Sequence, residues 1–130
     1  MILNSETDYA IRIVSCLSDT TERLDARTIS ERTGVTQRYA LKILHKLTVG
    51  GVVKSFKGAK GGYTLSESPE KITLLEVIEL MCGPINFSRC QCEKSVCTHP
   101  QGDCLFKETF NCVSDFMREK FNSATFARKE

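Results

Sequence analysis

The stretch DARTISERTGVTQRYALKILHKLTVGGVVKSFKGAKGGYTL, residues 25–65, decides the fold. Asp25 can cap a short helix running from Ala26 to about Thr33, with Ile29 turned inward, and Gly34 permits the sharp bend that follows. Thr36 can cap a second helix from Gln37 to Val49, whose apolar stripe is Ala40, Leu41, Ile43, Leu44 and Leu47. Gly50-Gly51 ends it in the manner of a left-handed carboxyl cap. Val52-Val53-Lys54-Ser55-Phe56-Lys57 reads as a strand, residues 58–62 turn it back, and Tyr63-Thr64-Leu65 returns as its partner. Helix, glycine turn, helix and glycine-rich hairpin, in that order, predict a winged helix-turn-helix within a mainly α fold.

The same stretch carries one sign of charge. Residues 36–65 contain six lysines and arginines and no aspartate or glutamate. The overall net charge of +2 conceals this, because residues 1–65 sum to +4 and residues 66–130 to −2. One half of the chain is thus suited to a polyanion. In a winged helix-turn-helix the second helix enters the major groove, amino-terminal end first. Thr36, Gln37, Arg38 and Lys42 lie off the core stripe and are expected to face bases or phosphates, with His45 and Lys46 nearer the backbone. Gln and Arg can bond adenine and guanine edges respectively. The hairpin adds Lys54, Lys57 and Lys60, and its glycines let the backbone approach a phosphate or the minor groove. A merely solvated basic helix leaves the thirty acid-free residues and the lysine-bearing hairpin unexplained. Double-stranded DNA is the expected partner.

Outward from this unit, Ser5 and Asp8 suggest a capping box for a first helix with Ala10, Ile13, Val14 and Leu17 on its inner face. Beyond the hairpin, Thr73 and Glu76 form a capping box for a helix to about Met81, burying Leu74, Val77, Ile78 and Met81, and Gly83-Pro84 stops it. A last helix is predicted from near Cys104 through Phe121. Phe106, Phe110, Val113, Met117 and Phe121 recur along it, an apolar seam that needs another surface to cover it. The expected organisation is a DNA-binding domain over 1–82, a cysteine-rich loop over 83–103, and a long dimerisation helix with its tail over 104–130.

Four of the seven cysteines crowd into that loop as Cys90-x-Cys92-x4-Cys97-x6-Cys104. Structural zinc sites usually pair two compact Cys-x2–4-Cys knuckles, and this spacing lacks the second. Loosely spaced thiols backed by an apolar helix suit an iron–sulfur cluster. Zinc on Cys92, Cys97 and Cys104 with His99 or Cys90 is an alternative, and plain redox thiols are a third. Cys16, Cys82 and Cys112 are expected to be packing residues.

No apolar run approaches the ~20 residues of a membrane span. The opening lacks the basic and small-residue features of a signal peptide, so a cytoplasmic protein with reduced thiols is expected. There is no Cys-x-x-Cys beside a β-α-β pattern. Neither histidine has an evident nucleophile and carboxylate partner, so a binding protein is expected, not an enzyme.

The segments TDYAIRIV, ISERTGVTQRYALKILHKL, GGVVKSFKGAKGGYTL and ITLLEVIELMCGPI closely resemble the cluster-sensing winged-helix regulators typified by IscR and NsrR, essentially end to end. The resemblance implies a homodimeric regulator, with a repressor as the favoured form, that binds palindromic promoter DNA. It also implies long terminal helices crossing between subunits, and a 2Fe–2S or 4Fe–4S cluster on three cysteines. Those are Cys92, Cys97 and Cys104 here, with Cys90 as the alternative to Cys92. The family most often places five residues between successive ligands, whereas this chain has four and then six. The histidine that IscR-like proteins use as a fourth ligand is replaced by Lys107, which cannot ligate. NsrR-like proteins use an aspartate from the partner's first helix, and Asp8 stands at that place, where it could equally complete the Ser5 capping box. An oxygen ligand implies a labile cluster suited to sensing nitric oxide, redox state or iron–sulfur status.

Overall fold

In the computed structural model, which describes residues 3–87 and 106–127, α1 (Ser5–Ser18) is the helix on which the others assemble. Packed against it are α2 (Ala26–Thr33), α3 (Gln37–Val49) and α4 (Leu74–Cys82). Ala10, Ile13, Val14 and Leu17 of α1 meet Ile29 of α2 and Ala40, Ile43, Leu44 and Leu47 of α3 in one buried cluster. Fully burying an aliphatic side chain of this size contributes about 1.5–3 kcal/mol, so this contact is the main source of cohesion in the amino-terminal half.

The expected caps of three helices form. Asp25 accepts from the Thr28 amide at 2.7 Å, Thr36 from Tyr39 at 3.4 Å and Thr73 from Glu76 at 3.1 Å. Gly34 takes the left-handed conformation between α2 and α3, and after α3 the left-handed residue is Gly51, since Gly50 stays right-handed. The cap of α1 differs from the expected Ser5–Asp8 box. Asn4 accepts from the Thr7 amide at 2.8 Å and from the Thr7 hydroxyl at 2.7 Å, so Ser5 is already helical. Asp8 falls at the end of the first turn, where Arg12 Nε lies 3.1 Å from its carboxylate. Leu41 also departs from expectation and is 45% exposed. At 3.6 residues per turn it sits roughly 110° from the middle of the stripe made by residues 40, 43, 44 and 47.

β1 (Val53–Phe56) and β2 (Gly62–Leu65) form the antiparallel hairpin, with Val53 opposite Leu65 and Phe56 opposite Gly62. Leu24, in the connection before α2, exchanges backbone hydrogen bonds with Tyr63 at 3.2 and 2.8 Å, which ties the wing to the helical unit. Gly62 makes this approach possible. Its φ is +147°, and a Cβ there would lie 2.8 Å from the Leu24 carbonyl oxygen. Gly62→Ala should therefore lower the unfolding free energy by about 1–3 kcal/mol, read as a shifted urea midpoint at constant m-value. An unmoved midpoint would show that the bridge yields without cost.

A 3-10 turn, Pro69–Lys71, leads into α4, whose Val77 and Ile78 are buried. Leu74 and Met81, expected to be buried, are only half-buried. The last described helix, α5 (Lys107–Ser123), lies against α4. Ser114 is its buried residue, and Phe110, Met117 and Phe121 are half-buried, while Phe106, Val113 and Phe116 are exposed. The apolar seam is thus split: part leans on this chain and part stands outward. Residues 124–127 fold back beside 72–74, where Leu74 donates to the Ala124 carbonyl at 2.8 Å and Phe126 to that of Ile72 at 3.2 Å. Cys16 is half-buried against the core as expected, but Cys82 and Cys112 are exposed. Both lie on helix faces that this chain's core does not cover. Among the described residues no helix is long and apolar enough to cross a membrane.

Candidate nucleic-acid interface

Thr36, Gln37, Arg38, Lys42 and His45 are all exposed on α3, and Lys54, Lys57 and Lys60 are exposed on the wing. The fold therefore presents every basic residue that the sequence nominated for DNA. Thr36 has a structural duty besides, because its hydroxyl is committed to the Tyr39 amide. Arg38 lies near the direction opposite the buried stripe, in the first turn of α3. That is where a recognition helix meets base edges.

Two residues that sequence reasoning passed over hold this surface in place. Arg23 stacks its guanidinium 3.6 Å from the Phe56 ring centroid and donates to the Lys60 carbonyl at 3.4 Å, bracing the wing where β1 ends and within its turn. Cation–π contacts at exposed sites contribute about 0.5–1 kcal/mol. Glu6 reaches from α1 to α3, with one carboxylate oxygen 2.8 Å from Lys42 Nζ and the other 2.7 Å from Lys46 Nζ. Neither contact has a local sequence signal, since each joins residues more than thirty positions apart.

Electrostatics keep the Glu6 fork closed at neutral pH. The hydrogen bond from Lys42, then that from Lys46, lowers the Glu6 carboxyl from 4.5 to about 2, and the same contact raises the Lys42 ammonium. Because the folded value lies below the unfolded one, the stabilisation is complete above pH 4.5 and fades as pH falls towards 2. Tyr9 meets Tyr39 edge-on beside the fork, with ring centroids 5.8 Å apart. The first turns of α1 are thus fastened to α3 by charge and by packing.

The same turns also touch the approach to the cysteine stretch. The Thr7 hydroxyl donates its proton to Asn4, so the Cys82 thiol is the donor in the 2.7 Å contact between Cys82 Sγ and Thr7 Oγ1. Cys82 closes α4, directly ahead of residues 83–103. Cys90, Cys92, Cys97, His99 and Cys104 lie outside the described residues. Asp8 is exposed on α1 beside Arg12, and Lys107 opens α5.

Residues 3–128 match the model of the Rrf2 family, described as iron-dependent transcriptional regulators. The chain belongs to the Rrf2 family. IscR of Enterobacter sp. strain 638, an HTH-type transcriptional regulator, is 30% identical over 128 residues, spanning 96% of this chain and 77% of that protein. NsrR of Bacillus licheniformis, also of HTH type, is 28% identical over 92 residues, or 69% and 64% of the two chains. Among solved structures, that of CymR (YrzC), the global cysteine regulator of Bacillus subtilis, superposes with a TM-score of 0.79. It covers 97% of this chain and 93% of that one at 23% identity, a likeness of fold. The Rrf2 assignment makes this protein a DNA-binding transcriptional regulator on a winged-helix scaffold.

Proposed function

We propose that this Rrf2 protein is a homodimeric repressor of palindromic promoters whose DNA affinity is set by a labile iron–sulfur cluster. The observation that carries the reading is the double attachment of α1. Its first turns grip α3 through Glu6 and Tyr9, and between those two residues stands the exposed carboxylate of Asp8. Whatever holds Asp8 therefore acts on the recognition helix. Cys92, Cys97 and Cys104, with Cys90 as alternative to Cys92, would hold a 2Fe–2S or 4Fe–4S centre together with Asp8 of the partner subunit. Three soft thiolates and one carboxylate are a donor set that iron accepts. When bound, such a group supplies a response to nitric oxide, redox state or iron–sulfur status.

The protein's own part is mechanical. To ligate a cluster held on the partner's cysteines, Asp8 would leave Arg12, and the pull would pass through α1 to α3. Half-sites lie one DNA turn apart, ~34 Å, so a small change in the angle of α3 disengages one reader of a dimer. Coupling of this kind is typically about 1–3 kcal/mol. The outward apolar residues of α5 support the dimer, since Phe106 and Phe116 are 60% and 58% exposed.

Cys97→Ala should abolish the visible absorption, iron and sulfide of anaerobically purified protein while leaving its far-ultraviolet circular dichroism intact. Full colour in that variant would remove Cys97 from the ligand set. A second reading is a cluster-free regulator that senses thiol oxidation, zinc or a partner enzyme through its cysteines. The fold likeness to a global cysteine regulator and the exposure of Cys112 favour it. Wild-type protein free of iron and sulfide after anaerobic isolation would decide for this second reading.

A further inference from the structure

We propose that Glu6 is an internal counter-charge that restrains sequence-independent DNA binding by engaging Lys42 and Lys46. The inference rests on α3 being the DNA-reading helix. No acid occurs within residues 36–65, yet the fold brings one to this surface from α1. Glu6 bonds each lysine with a separate oxygen and is itself 24% exposed, while the lysine side chains remain 57% and 43% exposed. The ammonium groups are thus accessible to a phosphate but must leave a carboxylate to take one.

The effect on affinity follows from charge. Sequence-independent binding comes from lysines and arginines that neutralise phosphates and release counterions, at about 0.9 in the log–log salt slope per phosphate. A carboxylate bridging two ammoniums leaves the fork at +1 where two free lysines would offer +2. Glu6 therefore removes about one phosphate's worth of attraction, which is roughly eightfold between 1 M and 0.1 M salt. Base reading by Gln37 and Arg38 is untouched, because neither belongs to the fork. The attraction that Glu6 removes is common to every sequence, so Glu6 lowers the electrostatic component of all DNA binding and leaves discrimination to the base-reading residues. A DNA phosphate that displaces Glu6 would also loosen the tie between α1 and α3.

Glu6→Gln keeps the side chain's shape and removes its charge. Its binding should be measured by fluorescence anisotropy across a salt series, on two duplexes of about three helical turns. One is a random-sequence pool and the other is selected from that pool by the wild-type protein. The variant should bind the pool about eightfold more tightly at 0.1 M salt, with a slope steeper by about 0.9, and gain by about the same factor on the selected duplex. In a Lys42→Gln, Lys46→Gln background the same substitution should change nothing. Pool affinity that stays level or falls, or a salt slope that does not steepen, would overturn the proposal. Wild-type protein that binds neither duplex would overturn the assignment of α3 itself, a distinct failure visible before any variant is made.

Discussion

Phe116→Asp is expected to convert the proposed homodimer to a monomer and to lower its affinity for a palindromic duplex by at least about a hundredfold. In the single chain Phe116 is 58% exposed, and the ammonium of Lys120 stands 5.5 Å from its ring centroid. It shares the outward side of α5 with Phe106 and Val113. A two-fold interface uses the same patch from both subunits, so each residue counts twice. Burying one phenylalanine contributes about 1.5–3 kcal/mol, and the pair about twice that. Aspartate removes the gain and adds the cost of desolvating two carboxylates. A monomer reads one half-site and forfeits the second, whose contribution depends on linkage. Because Phe116 does not support the fold of its own chain, helicity should survive, and Phe116→Leu should retain most of the dimer. Light scattering and anisotropy would check both parts. A variant of dimeric mass with wild-type affinity would place the interface elsewhere.

The helices before residue 83 were legible because they are set by short-range chemistry. Asp25, Thr36 and Thr73 each cap the helix they precede, Gly34 supplies the left-handed bend, and apolar spacing marks the buried faces of α1 and α3. Misreadings occurred where neighbours compete locally. Asn4 displaced Ser5 as the cap of α1, because its side-chain oxygen satisfies both the amide and the hydroxyl of Thr7. Leu41 joined the predicted stripe by type alone, although its angular position puts it on the flank. Phe116 was passed over for the opposite reason: its spacing leaves the predicted seam, yet it is among the most exposed apolar residues of α5.

The basic surface was legible as composition, but its internal wiring was not. Glu6 with Lys42 and Lys46, Arg23 over Phe56, and Cys82 with Thr7 all join distant positions, and only tertiary packing creates them. The backfold of residues 124–127 onto 72–74 is similarly silent in the sequence, since its bonds run between backbone groups. The cysteine stretch is the reverse case. Its spacing is explicit in the sequence, and Cys90, Cys92, Cys97 and Cys104 lie outside the described residues.

Arg38→Ala should lower affinity for the selected duplex by at least about thirtyfold and affinity for the random pool much less. Arg38 lies in the first turn of α3, off the stripe that meets the core, so its loss leaves packing and thermal stability unchanged. A bidentate guanidinium–guanine pair gives about 1–3 kcal/mol of discrimination, and a symmetric dimer forms two. The summed loss of about 2–6 kcal/mol corresponds to a factor of roughly 30 or more. The pool should lose only the charge contribution, about 0.9 in salt slope per phosphate contact. Arg38→Lys separates the two roles, because lysine keeps the charge but lacks the planar fork that matches a guanine edge. Lysine should therefore restore the salt slope without restoring discrimination. Were Arg38→Lys to discriminate like wild type, Arg38 would be a phosphate contact, and base reading would pass to Gln37 and its neighbours on the outer face of α3.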